Sequence, residues 1–194
     1  MILSSLRERT RSQHEQIEQT VNLFGHWESV ERYGGLLARF YGFYAPLERR
    51  LGQVPDCGAI GLDLVERVKT PFLYQDLLAL GFDSARVEQL PECVQLPRVG
   101  DMATVLGCLY VLEGATLGGQ VLRREIERRH GLDTESGCRF FASYRERVGE
   151  RWMEFCKVLS HYASENPDAQ EAIVSAAVDT FCTFDRWIVG GKAC

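Results

Sequence analysis

The 194-residue chain has no C-x-x-C pair, no strong excess of charge of one sign and no sustained alternation of apolar and polar residues. Each absence narrows the field. Its seven cysteines (Cys57, Cys93, Cys108, Cys138, Cys156, Cys182 and Cys194) are odd in number and widely scattered. That argues against a disulfide framework or a cysteine zinc site and for a reducing compartment, with most thiols serving as small apolar core residues. Lysines and arginines number 22 against 27 acids, interspersed to a net charge of −5. Nothing in that distribution resembles a nucleic-acid or membrane footprint. No apolar run approaches the length needed to span a bilayer. The opening MILSSLRERTRSQHEQ lacks the apolar core of a secretory signal and already reads as an amphipathic helix. A cytoplasmic chain, with neither nucleic acid nor membrane as partner, is the expectation.

What the chain does have, almost everywhere, is apolar residues at three- and four-residue intervals. The spacing predicts helices over 3–23 (stopped by Gly25), 28–51, 61–80 (broken near Pro71), 101–130, 138–163 and 167–189. Pro46 and the Gly34–Gly35 pair are points of possible bending in the second, and 81–100 is a connecting segment. No repeat or composition break divides the chain. The fold class is all-α, a single domain over 1–194.

Two features stand out against this background. His14 lies mid-helix with Glu18 one turn later, Arg11 one turn earlier and Arg7 two turns earlier. A neutral imidazole is a common iron or zinc ligand, and a carboxylate one turn away can orient it. The cations beside it suit an anionic ligand group. An exposed histidine in a surface ladder of ion pairs has the same pattern. The second feature is LEGATLGGQVL (112–122), which sets Gly114, Gly118 and Gly119 inside a long helix. Each costs about 0.5–1 kcal/mol relative to alanine. Bare backbone lets a flat ligand approach and lets the helix bend, or lets two helices touch.

Other candidates carry less. Glu127-x-x-His130 has the spacing of one half of a di-iron bundle motif, but no second copy exists. His130 precedes Gly131 and reads as a helix C-terminal residue favourable to the dipole. His26 and His161 lack a partner pattern. Phe140, Phe141, Trp152 and Phe155 read as core, and Arg147, Arg151 and Lys157 as cations on a solvated face that are available to a carboxylate.

Taken together, LRERTRSQHEQIE (6–18) resembles the first helix of heme oxygenases and LEGATLGGQVL resembles their distal helix. YGGLLARFYGFYAPLE and RWMEFCKVL are similar to the family's other helices, in the same order. The resemblance covers most of the chain and is closest to bacterial members, including those that accompany bacteriophytochromes. It implies a heme-oxygenase-like helical bundle with a glycine-bent distal helix. His14 would be the axial iron ligand through Nε2 and Glu18 its orienting carboxylate. Arg7, with Arg11 beside it, and Lys157 would face the heme propionates, and Gly114, Gly118 and Gly119 would lie over the distal face. Heme would be cofactor and substrate together. It would be opened with O2 and electrons from a reductase or ferredoxin to give biliverdin, carbon monoxide and ferrous iron. Iron acquisition and biliverdin supply to a bacteriophytochrome are both compatible roles. One departure matters: Ala115 stands where mammalian-type members place an aspartate that holds distal water. Carbonyls freed at a glycine bend are the candidate replacement. Ala115 also keeps open a non-catalytic heme-binding or heme-delivery protein on the same fold. A third class is a di-iron or thiamin-degrading relative.

Overall fold

The structure is a computed structural model that describes residues 1–23, 28–54 and 57–190. The predicted stop at Gly25 lies outside the described residues, as do His26 and Cys194. Among the described residues eight α-helices follow in order: α1 (Ile2–Arg9), α2 (Arg11–Leu23), α3 (Val30–Leu51), α4 (Thr70–Ala79), α5 (Ser84–Glu88), α6 (Met102–His130), α7 (Val148–Glu165) and α8 (Gln170–Val189). No strand occurs among the described residues. The fold is all-α.

Local chemistry sets the boundaries. Ser29 accepts a hydrogen bond from the Arg32 N–H and starts α3, and Asp101 forms a reciprocal capping box with Thr104 at the head of α6. Gly131, at φ 67°, and Gly190, at φ 87°, close α6 and α8 in the left-handed conformation that glycine adopts without a steric penalty.

Four boundaries differ from the periodicity reading. The first helix is two, because the backbone turns at Thr10 (φ −104°, ψ 3°), whose hydroxyl donates to the Leu6 carbonyl at 2.8 Å. Pro71 does not break a helix but sits in the first turn of α4, where its missing N–H costs nothing. Residues 81–100 are not wholly irregular, since α5 forms there on an Asp83 cap. Residues 138–147 do not form an α-helix: 139–144 are successive turns and Arg145–Arg147 a short 3-10 helix. There the buried Asp76 carboxylate accepts the backbone N–H groups of Arg139 and Phe140 at 2.8 Å each. Tyr144 and Arg145 take positive φ.

Burial pushes the Asp76 carboxyl up to about 6, despite those two hydrogen bonds. Because its folded value lies above its unfolded one, its contribution is fully present at low pH and is lost as pH rises through about 6. Urea midpoints measured from pH 4 to 7 are therefore expected to fall less steeply with rising pH in Asp76→Asn than in the wild type. The substitution itself should cost about 1–3 kcal/mol, because an amide cannot accept both N–H groups through two oxygens.

The core lies between α6 and α8, the most extensively packed pair, with α3 and α7 alongside. Their approach is close at Gly107, where an added Cβ would lie 2.3 Å from the Ile173 carbonyl oxygen and 2.6 Å from the Ala176 Cβ. An aromatic cluster of Phe40, Phe43, Tyr44, Phe140, Phe141 and Phe184 fills the α3 side. Cys93, Cys108 and Cys138 are buried free thiols. By length and composition α6 is also apolar enough to cross a bilayer, contrary to the reading that no run approaches that length. It is the core helix here, half buried against its neighbours.

Candidate functional site

α2 and α6 both pack on α8. Where α1 meets α2, Thr10 and Arg7 both act on the half-buried Tyr110 phenol of α6, opposing the rise that burial gives its pKa. From that contact His14 lies one turn along α2 and Gly114 one turn along α6.

On the α2 side, the His14 ring stands edge-on to Phe181 of α8, centroids 6.0 Å apart, and Nδ1 faces a Glu18 carboxylate oxygen at 3.6 Å. The imidazole is 59 % exposed. With Nδ1 engaged, Nε2 is the nitrogen left for a ligand. Farther along, the Thr20 hydroxyl donates to Asp185 at 2.7 Å and ties α2 to α8.

On the α6 side the glycines separate by face. The helix runs unbroken from Met102 to His130, so they thin it rather than open it. Helical spacing puts Tyr110, Gly114, Leu117, Gly118 and Val121 on one stripe. A Cβ at Gly118 would meet nothing within 4 Å, and one at Gly114 would make ordinary contact with the Trp152 ring. Leu117 is 41 % and Val121 67 % exposed. Gly119 does not share this face: it is buried against the Phe141 backbone and ring. The glycines thus do both jobs weighed for them, packing against Phe141 at Gly119 and Trp152 at Gly114, and leaving an open face at Gly118. Gly107, which the sequence reading did not single out, is the tightest contact in the helix.

This division predicts opposite effects on stability. Gly118→Ala is expected to stabilise the fold by about 0.5–1 kcal/mol, the ordinary helix-propensity gain with no contact opposing it. Gly107→Ala is expected to destabilise by about 1–3 kcal/mol through overpacking against α8. Thermal melts of the two variants check the pair.

The remaining sequence candidates are dispersed. Arg7 and Arg11 are exposed at the α1–α2 junction, and Arg7 also acts on the Cys156 thiol of α7. Ala115 is exposed on α6, next to the open stripe. Lys157 lines a different depression, of about 460 Å³, with Asp63, Arg67, Arg151, Glu154 and His161. Glu127 and His130 end α6, where the Gly131 N–H bonds the Glu127 carbonyl at 2.8 Å. Among the described residues no three His, Cys, Asp or Glu side chains cluster as a metal site.

Sequence reasoning passed over a buried charge cluster directly before Gly114. Glu113 (1 % exposed) is ion-paired to Arg67 and to Lys69, the latter at 2.8 Å, and accepts the Tyr144 hydroxyl at 2.9 Å. Lys69 also donates to the Arg67 carbonyl and to the Tyr144 oxygen, and its backbone N–H bonds Glu48. Burial lowers the Lys69 pKa, with Glu113 opposing the fall. The Arg67 Nε–H is buried without a partner. The only sequence signal was a charged residue on the buried face of an otherwise apolar helix.

An exposed imidazole beside an orienting carboxylate suits a metal ligand, and a helix face bare of side chains at Gly118 suits contact with a flat, largely apolar one. The donor set suits iron in a porphyrin, which needs one axial nitrogen from the protein and apolar contact on its faces. Compared with family models, residues 1–189 match the one described as heme oxygenase. A search of curated proteins returned no match.

Proposed function

The chain belongs to the heme oxygenase family, and from that footing we propose that it is a heme-degrading monooxygenase that converts heme to biliverdin, carbon monoxide and ferrous iron. The observation that carries this reading is the match of residues 1–189 to the heme oxygenase family, supported by the exposed, Glu18-paired His14 on α2 and the bare helix face at Gly118 on α6.

The residues divide the work. His14 would hold the iron through Nε2, with the Glu18 carboxylate at Nδ1 orienting the ring. Phe181 limits the ring's rotation from the α8 side. Gly114 and Gly118 present helix backbone without side chains, so that helix face can lie close to the ligand plane. Leu117 and Val121 extend it as apolar cover and exclude water. Arg7 and Arg11 stand at the exposed end of α2, where cations receive propionate carboxylates, and Lys157 is a more distant candidate for the same role. Heme, when bound, supplies the iron that activates O2 against its own macrocycle; the protein supplies position and polarity. Electrons come from a ferredoxin or flavoprotein reductase. The bacterial type, with biliverdin passed to a bacteriophytochrome or iron retained, is the physiological setting we propose, in the cytoplasm.

Ala115 favours one competing reading. It brings no polar side-chain group to α6 at the position after Gly114. A heme carrier would need none. Hemin supplied with a reductant system separates the two readings. Chromatographic identification of a biliverdin isomer supports the monooxygenase, and stable binding with only peroxide bleaching selects the carrier.

A further inference from the structure

A cavity of about 470 Å³ lies between α3, α8 and the 89–95 segment, within the size range of small-molecule sites. It is not the His14 site described above. Five residues at about 100° each place Arg186 roughly 140° around α8 from Phe181, the ring that faces His14. The cavity therefore opens on the other side of that helix.

Its walls are mostly apolar: Ala38 from α3, Leu90, Pro91 and Val94 from the segment, and Trp187 from α8. They are held in place. The Cys93 N–H donates to the Gly42 carbonyl at 2.8 Å, and the Trp187 indole N–H donates to the Arg39 carbonyl at 2.7 Å. A Cβ on Gly42 would lie 2.3 Å from the Pro91 carbonyl oxygen, so segment and helix are in close contact.

Two cations line this apolar space, Arg39 and Arg186, and among the described residues no carboxylate does. Neither arginine joins any of the ion pairs found among the described residues. Arg39 donates to the Ile188 carbonyl at the end of α8. The Arg186 Nε–H is buried with no hydrogen-bond partner. Arg186 as a whole is half-buried and lines the cavity, so a carboxylate against its guanidinium offsets a partly desolvated charge.

We propose that this cavity binds an amphipathic carboxylate, with its apolar body against Leu90, Pro91, Val94 and Trp187 and its head group on Arg186, with Arg39 at the rim. The apolar walls select against inorganic anions, and the two guanidinium groups select against neutral molecules of the same shape.

Octanoate is the probe, with octan-1-ol as its uncharged counterpart, both followed by titration calorimetry on the full chain. Octanoate is expected to bind saturably with one site. Arg186→Gln should weaken octanoate about tenfold or more, the loss of a charge-assisted hydrogen bond, and leave octan-1-ol unchanged. Ala38→Trp, which fills the cavity from α3, should abolish binding of both. Protein saturated with hemin should bind octanoate as tightly as hemin-free protein. Absence of saturable binding, equal octanoate affinity in Arg186→Gln, or displacement of octanoate by hemin would overturn the proposal.

Discussion

His14→Ala is expected to lower biliverdin formation by at least about 100-fold, the upper end of what loss of a mere supporting group costs a metal site. Hemin should still associate with the variant, because Leu117, Val121 and the bare glycine backbone offer apolar surface that does not depend on the imidazole. What should vanish is the histidine-ligated absorption spectrum. Added imidazole is expected to restore that spectrum and part of the turnover, since the His14 side chain is 59 % exposed and its removal leaves an accessible space. Glu18→Gln is the milder companion. It keeps a hydrogen-bond acceptor near Nδ1 but removes the charge, and a loss of roughly 10-fold is expected. The assignment of His14 is sunk if the alanine variant keeps both its ligation spectrum and its turnover.

Glu113→Gln is expected to destabilise the fold by about 3–5 kcal/mol, because it leaves Arg67 and Lys69 buried without their shared counter-charge. The side chains of both cations are almost fully buried, 5 % and 1 % exposed, so water cannot take the carboxylate's place. Denaturant midpoints measure the effect. Adding Lys69→Met should recover part of the loss, since one fewer unpaired charge then remains inside; the double-mutant cycle reports that coupling. Surface pairs give the contrast. Breaking Arg9–Glu171, both of whose partners are well exposed, should change stability by less than about 1 kcal/mol. Equal effects at the two sites would mean that the buried cluster relaxes into solvent.

The cluster also shows where sequence reading stops. LEGATLGGQVL drew attention for its glycines, and the glutamate inside it read as an ordinary helix residue. Its partners lie 46 and 44 positions earlier, in a segment that periodicity assigned to a broken helix. Nothing local marks Arg67 and Lys69 as buried, since burial of a charge is decided by what arrives from elsewhere in the chain. Gly107 escaped notice for the same reason: its neighbours, Ile173 and Ala176, belong to a helix more than sixty residues away.

The all-α class and the main helices followed from the sequence alone, because three-and-four periodicity is written residue by residue; His14 and the Gly114–Gly118 stretch were joined only by resemblance to a family. Capping signals such as Asp101–Thr104 and Gly131 belong to that same local chemistry. Which glycines pack and which stay bare was not local. Gly114, Gly118 and Gly119 look alike in the chain, and only the approach of Trp152 to the first and Phe141 to the last, with open space at Gly118, separates them. Tertiary structure alone likewise turned 138–147 away from α-helix, through an Asp76 carboxylate that captures backbone N–H groups 63 and 64 positions later. It also decided where Lys157 stands, and that two arginines would share an apolar cavity behind α8. Periodicity records which face of a helix is buried; only the packed chain supplies the neighbour that buries it.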